Sequence, residues 1–200
     1  MSEELQTVVD FVEGRIVARQ LEAALYSKPT EFEGLLNQDP NLPSHHYASP
    51  SVYLFIIQQD FGDPGDVLSV HGALSEYLQR NGVASNPTSI YNDFYDLLLQ
   101  AQPDWLLTDM KYLAALVEDA DGRNGEGLKQ WLHAELLKRF HCLEAPPDWI
   151  QDPPVWPMSD GSPLFFLGQM NIEGYFHDVA AAYMFHNRRS GHCETIIQVA

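Results

Sequence analysis

Two His-Cys dipeptides, His141-Cys142 and His192-Cys193, place two imidazoles and two thiols in a chain that has no other cysteine. Two nitrogens and two sulfurs are the ligand inventory of a tetrahedral zinc site. The spacing argues against zinc, because the short knuckle of a paired motif is absent. Neighbouring residues of a strand also point to opposite faces, so His192 and Cys193 converge only if they lie in a hairpin turn. Packing of both cysteines as small apolar side chains is the preferred reading. Cys193 with His186 could form a thiol nucleophile and its base, but nothing local supplies an oxyanion hole, a helix N-terminus or a third orienting group. His45-His46 offers two metal ligands in a loop, where solvated histidines are the commoner outcome.

Asp119-x-Asp121-Gly122-x-Asn124-Gly125 has the outline of a calcium loop. It fails in detail: Arg123 stands at position five, Asn124 where position six needs glycine, and Gln130 where position twelve needs a bidentate Glu. A helix-to-helix turn that borrows Asp and Gly for local hydrogen bonds fits better. Asp60-Phe61-Gly62 matches three letters of the kinase magnesium motif, without a glycine-rich phosphate loop or a catalytic His-Arg-Asp. There is no P-loop, dinucleotide fingerprint or His-Glu-x-x-His pair. Gln169, Gln198 and Asn171 could be binding groups at a sheet edge, but an amide in such a place more often closes a backbone hydrogen bond. The residues thus assign no catalytic group, no metal ligand and no cofactor, and the chain reads as a non-enzyme.

The elements that must position these residues are mostly helices. Ser2 caps a first helix with Leu5, Val8, Val9, Val12 and Ile16 on one stripe, and Gly14 breaks it. Val17 to Tyr26 continues as a second amphipathic piece. Thr30-x-x-Glu33 has the form of a capping box for a short third helix, and Asn37 to Ser49 reads as a loop. Ser51 to Ile57 is continuously apolar and fits a buried strand or a buried helix. Ser49-Pro50, as N-cap and first residue, tips it to helix. A compact turn over 60–66 leads into a helix through Val67, Val70, Leu74 and Leu78. Further helices follow from Thr88 or Ser89, from Thr108 to Glu118, and through Leu128 to Phe140.

From Pro146 to Pro157 the composition shifts to proline and tryptophan, which forbids a continuous helix or central strand. This segment reads as an extended strap pinned by Trp149 and Trp156. Beyond it the pattern becomes strand-like: Pro163 to Met170, Ala181 to His186, and Thr195 to Val199 after the turn Asn187 to Gly191. A two-stranded ribbon is marginal by itself, so the three runs should form one sheet. The expected architecture is α+β, a mostly helical N-terminal layer packed on a small antiparallel C-terminal β-sheet. It is expected as a single domain over 1–200, with helices over 1–144, the Pro/Trp strap over 145–162 and the β-strands over 163–200.

The charge balance is the most unusual total: 28 acidic against 11 basic residues, a formal net charge of -17. Such a surface repels phosphate backbones and argues against nucleic acid as a ligand. No run approaches the ~20 apolar residues of a membrane span, and the acidic start Ser2-Glu3-Glu4 is unlike a secretory signal, so a cytoplasmic location is expected. The cations are also unevenly spread. Between Lys28 and Lys111 only Arg80 occurs, and between Arg139 and Arg188 there is none. Acidic residues gathered on one face would speed encounter with a basic protein, while solubility alone is the plainer role for them.

Several blocks carry a likeness to a known family: Trp149-Ile150-Gln151-x-Pro153 with Trp156-Pro157, Pro163 to Gln169, Phe176-His177-Asp178, Cys193 to Gln198, and the helical stretch Asp66 to Leu74. With these the chain resembles an uncharacterised bacterial family of small proteins associated with polymorphic-toxin and contact-dependent inhibition loci, where they act as immunity proteins. The likeness implies stoichiometric inhibition, an acidic surface covering the active site of a cognate, basic toxin. The candidate partner-binding residues are Asp60, Asp63 and Asp66 in one turn and Asp119 and Asp121 in another, chosen for charge and exposure. The alternatives from other classes are a small metal-assisted hydrolase using histidines and a non-enzymatic regulatory scaffold.

Overall fold

A computed structural model of the chain describes residues 1–37 and 51–200. The fold is α+β, with helices on the N-terminal side and a three-stranded antiparallel sheet at the C-terminus. The chain divides into two compact units, 1–96 and 97–200. The division falls inside a helix and not at the strap.

The first unit is built from helices α1 (Glu3–Val12), α2 (Ala18–Ser27), α3 (Pro29–Leu36), α4 (Val52–Ile57) and α5 (Pro64–Arg80). The Ser2 hydroxyl accepts from the Leu5 N–H and starts α1, satisfying one of the orphan donors of a helix end. Gly14, at φ +75°, ends that turn of chain in a conformation that favours glycine. The Thr30 capping box does not form. Helix α3 begins two residues earlier, at Pro29 behind Lys28, because proline's fixed φ suits the first helical position and loses no hydrogen bond there. The apolar run Ser51 to Ile57 is helical, and its cap is the Ser51 hydroxyl, which accepts from Leu54 N. Ser49, Pro50 and the His45-His46 pair lie outside the described residues. Val8, Phe11, Val12, Leu21, Phe32, Leu36, Ile56, Val70, Leu74 and Leu78 form the core of this unit. His71 is buried among them with Nε2 3.0 Å from the Val12 carbonyl, a core histidine whose polar atom is satisfied.

Helix α6 (Ile90–Ala101) carries the division between the units. The second unit continues with α7 (Met110–Val117) and α8 (Gly125–Arg139). The Asp109 carboxylate caps α7, accepting from the Lys111 and Tyr112 N–H groups. After α8 come a small hairpin, β1 (Met158–Ser159) and β2 (Ser162–Pro163), and then the sheet strands β3 (Phe165–Asn171), β4 (Ala180–His186) and β5 (Cys193–Val199) in the order β3-β4-β5. The hairpin was not expected. Its turn is Asp160-Gly161, with φ +50° and +70°, the double positive φ of a two-residue type I′ connection.

The strap is pinned as its tryptophans predict. Trp156 is buried, donates from Nε1 to the Leu164 carbonyl, and meets Phe140, Phe166 and Phe185 edge-on. Its N–H bonds to the Leu107 carbonyl at 2.7 Å. Trp149 donates to the Trp105 carbonyl and lies against Tyr183. Gln198, buried in β5, accepts from the Gln151 N–H and donates to the Asp152 carbonyl. Gln169 accepts from the Asp148 N–H. Both glutamines therefore close backbone hydrogen bonds of the strap, and one face of the sheet is covered within the second unit.

Candidate functional site

The acidic turn 60–66 is organised by its own carboxylates. Asp63 caps α5 by accepting from the Gly65 and Asp66 N–H groups, Asp60 accepts from Gly62 N, and Asp66 accepts from Asp60 N. These side chains serve the backbone of the first unit. Asp119 and Asp121 lie in the second unit, in the turn between α7 and α8, and the Asp121 side chain is 90% exposed with Arg123 3.7 Å away. Asp121 sits at φ +49°, which Asp tolerates better than most residues. Of the five sequence-based candidates, Asp60, Asp119 and Asp121 are exposed, and Asp63 and Asp66 are half-buried.

The two His-Cys pairs fall in different settings. His141 and Cys142 follow α8 and run beside β3, where the His141 carbonyl accepts from Phe166 N. Burial pushes the Cys142 thiol above its ordinary value and keeps it protonated at neutral pH. His192 lies in the β4–β5 turn, and Cys193 opens β5, directly opposite His186. No side-chain hydrogen bond joins His186 to Cys193 among the described residues. Nor do any three His, Cys, Asp or Glu side chains among the described residues gather to hold a metal ion. No helix among them is long and apolar enough to cross a membrane.

The structure assembles two other surfaces, both on the sheet. The register places Met170, Ala182 and Ile197 in one row, Gly168, Met184 and Thr195 in the next, and Ala180 beside Val199. Paired residues of an antiparallel sheet share a face, so these belong to the face opposite Tyr183 and Phe185. Met170 and Ile197 are each 55% exposed, and Met184 and Val199 are also open. The small alanines of the central strand between them, Ala180 and Ala182, are themselves buried, so the apolar surface of this face is made by the larger side chains. The loop 172–179 at one end of this face adds exposed Tyr175, Phe176 and Val179 together with Glu173 and Asp178. The other end carries the β4–β5 turn with Arg188 and Arg189.

At that second end lies a cavity of about 210 Å³ lined by the end of α8 and its successor (Arg139, His141), the β1–β2 tip (Ser159, Asp160, Ser162) and the β4–β5 turn with its strands. Arg188 stacks over the Phe165 ring with its guanidinium carbon 4.0 Å from the centroid. Asn187 fixes the turn by accepting from the Arg189 and Ser190 N–H groups. Sequence reasoning missed both surfaces. The signal for the cavity was the cation-free interval from Arg139 to Arg188, whose two ends the fold brings together.

No family model, curated protein or solved structure matches this chain.

Proposed function

We propose that the chain is a protein-binding inhibitor of the immunity type, which docks on a basic cognate toxin and covers its active site. The observation that carries this reading is the uncovered apolar face of the sheet, with Met170, Met184, Ile197 and Val199 presented side by side. A contiguous apolar patch on a strongly charged protein is the usual mark of a protein-binding surface. The net charge of -17 selects a basic partner and accelerates encounter with it. Carboxylates at the 172–179 end and arginines at the 188–189 end give the face a polarity along its length. Such a polarity fixes the orientation of a partner more than it raises affinity. Tyr175, 88% exposed, and Phe176 are the aromatic anchors that such an interface concentrates its energy on.

The test is calorimetry of the purified chain with the purified product of the adjacent gene, at low and high salt, for the wild type and for Ile197→Lys. Stoichiometric binding that weakens with salt and falls tenfold or more in the variant is the expected outcome. Absence of binding, or an Ile197→Lys variant that binds as the wild type does, overturns the reading. Binding that leaves the toxin active identifies a regulatory scaffold instead.

A further inference from the structure

Lysine and arginine are scarce in this chain, 11 among 200 residues, yet Arg139, Arg188 and Arg189 all line one cavity at the end of the sheet, with His141 and His186 beside them. The only carboxylate in that lining is Asp160. Arg139 has Glu135 3.7 Å from its Nε. Arg188 and Arg189 have no ion-pair partner among the described residues, although acidic residues outnumber basic ones more than twofold. Folding has concentrated positive charge here against the trend of the whole surface, and has left the two turn arginines without an ion-pair partner among the described residues.

We infer that this cavity binds a small phosphomonoester. Its donors come from three separate elements: guanidinium forks and imidazoles from α8's end and the β4–β5 turn, and the hydroxyls of Ser159 and Ser162 from the β1–β2 tip. Donors arriving from three sides suit the three terminal oxygens of a tetrahedral phosphate better than the two in-plane oxygens of a carboxylate. Arginine forks are also the preferred partners of phosphate. Pro163, Leu164 and Phe165 form the apolar side of the lining and supply a wall for the organic portion of the ligand. The Phe165 ring holds the Arg188 guanidinium in place, which lowers the ordering cost of binding. The volume of about 210 Å³ admits a phosphate with one small ring. Because the net charge repels anions at long range, short charge-assisted bonds inside the cavity must supply the affinity.

The full chain is titrated with phenyl phosphate, and in parallel with benzoate, at constant ionic strength, following backbone amide shifts by NMR. Phenyl phosphate is expected to give saturable one-site shifts centred on Phe165, His186 and Arg189, with benzoate about tenfold weaker or more. Both arginines of the turn are exposed, so Arg188→Gln/Arg189→Gln keeps the fold, as an unchanged thermal melt will verify, and loses tenfold or more in affinity. Asp160→Asn removes the opposing carboxylate while keeping a side chain that tolerates positive φ, and should tighten binding severalfold. Absence of saturation, equal binding of benzoate, or a double variant that binds as the wild type does overturns the assignment. Weaker binding in Asp160→Asn also overturns it. No partner protein enters this titration, so its result is independent of the inhibitor reading.

Discussion

Tyr183 clamps Trp149: the two rings lie 4.3 Å apart between centroids, and the Tyr183 hydroxyl donates to the Asp148 carbonyl while accepting from the Ile150 N–H, one residue to either side of the tryptophan. A single side chain of the central strand therefore holds both the ring and the backbone of the strap. Tyr183→Phe keeps the packing and removes both hydrogen bonds, so it should cost about 1–3 kcal/mol. Tyr183→Ala also opens a cavity and should cost about 3–5 kcal/mol. Urea denaturation followed by tryptophan fluorescence measures both.

The same clamp makes an alkaline prediction. Burial raises the Tyr183 pKa above the ordinary 10.0, the Ile150 hydrogen bond opposes that shift, and the nearby Asp148 adds to it. A folded-state pKa above the unfolded one means that the unfolded chain releases this proton first. The contribution is fully present below pH 10.0 and is lost as pH rises from there through the folded value. Stability measured from pH 9 to 11.5 should fall more steeply in the wild type than in Tyr183→Phe. Equal slopes would assign the alkaline loss to other groups.

How legible this was in the sequence depended on the length of each pattern. Helices α1, α5 and α8 carry several turns of apolar spacing, and the three sheet strands are seven residues each, long enough for their type to show. The strap followed from Trp149 and Trp156, because a large apolar ring in a proline-rich segment has few places to go. The β1–β2 hairpin escaped notice although Asp160-Gly161 is a strong turn signal. Its strands have two residues each and no periodicity to read. The cationic cavity escaped for another reason. It joins Arg139 to Arg188 and Arg189 through the packing of α8's end against β3, a long-range relationship that no local pattern encodes.

The acidic turn 60–66 and the turn 119–121 should separate in mutagenesis. Asp63 bonds two N–H groups at the start of α5, so Asp63→Ala should cost about 1 kcal/mol through loss of the cap. Asp121→Asn should leave stability unchanged within about 0.5 kcal/mol, since an exposed pair of this kind contributes little. Any effect of Asp121→Asn on partner association therefore reports binding, whereas one from Asp63→Ala reports folding as well. Thermal melts run beside the association measurement decide between them.

The two cysteines should differ in reactivity. Cys193 is exposed at the start of β5, while Cys142 is half-buried with its thiol pushed up by desolvation. The thiolate is the reacting species, so burial slows Cys142 both by access and by ionisation. Iodoacetamide at pH 7.5 should modify Cys193 first, giving a singly labelled chain by mass spectrometry before a doubly labelled one. Peptide mapping that finds Cys142 labelled at the same rate would show that the 141–143 segment opens from β3 in solution.

Gly168 decides how the outer face is presented. The ladder between β3 and β4 shifts between Phe166 and Gly168, leaving Leu167 as the extra residue of a bulge, and Gly168 takes φ +152°. Nothing stands within 4 Å of where a Cβ would be, so Gly168→Ala is opposed by backbone strain alone. The expected cost is about 1–2 kcal/mol. If the strand relieves that strain by losing the bulge, the pairing slips by one residue, and a slip of one turns every side chain of that segment to the opposite face. Met170 would then leave the apolar face that it shares with Ile197. Hydrogen exchange of the β3 amides, together with the cross-strand contacts between Met170 and Ala182, distinguishes a strained but intact bulge from a slipped strand. Retained contacts with reduced stability are the expected outcome, since Phe166 remains anchored against Trp156 and Phe185 on the covered face.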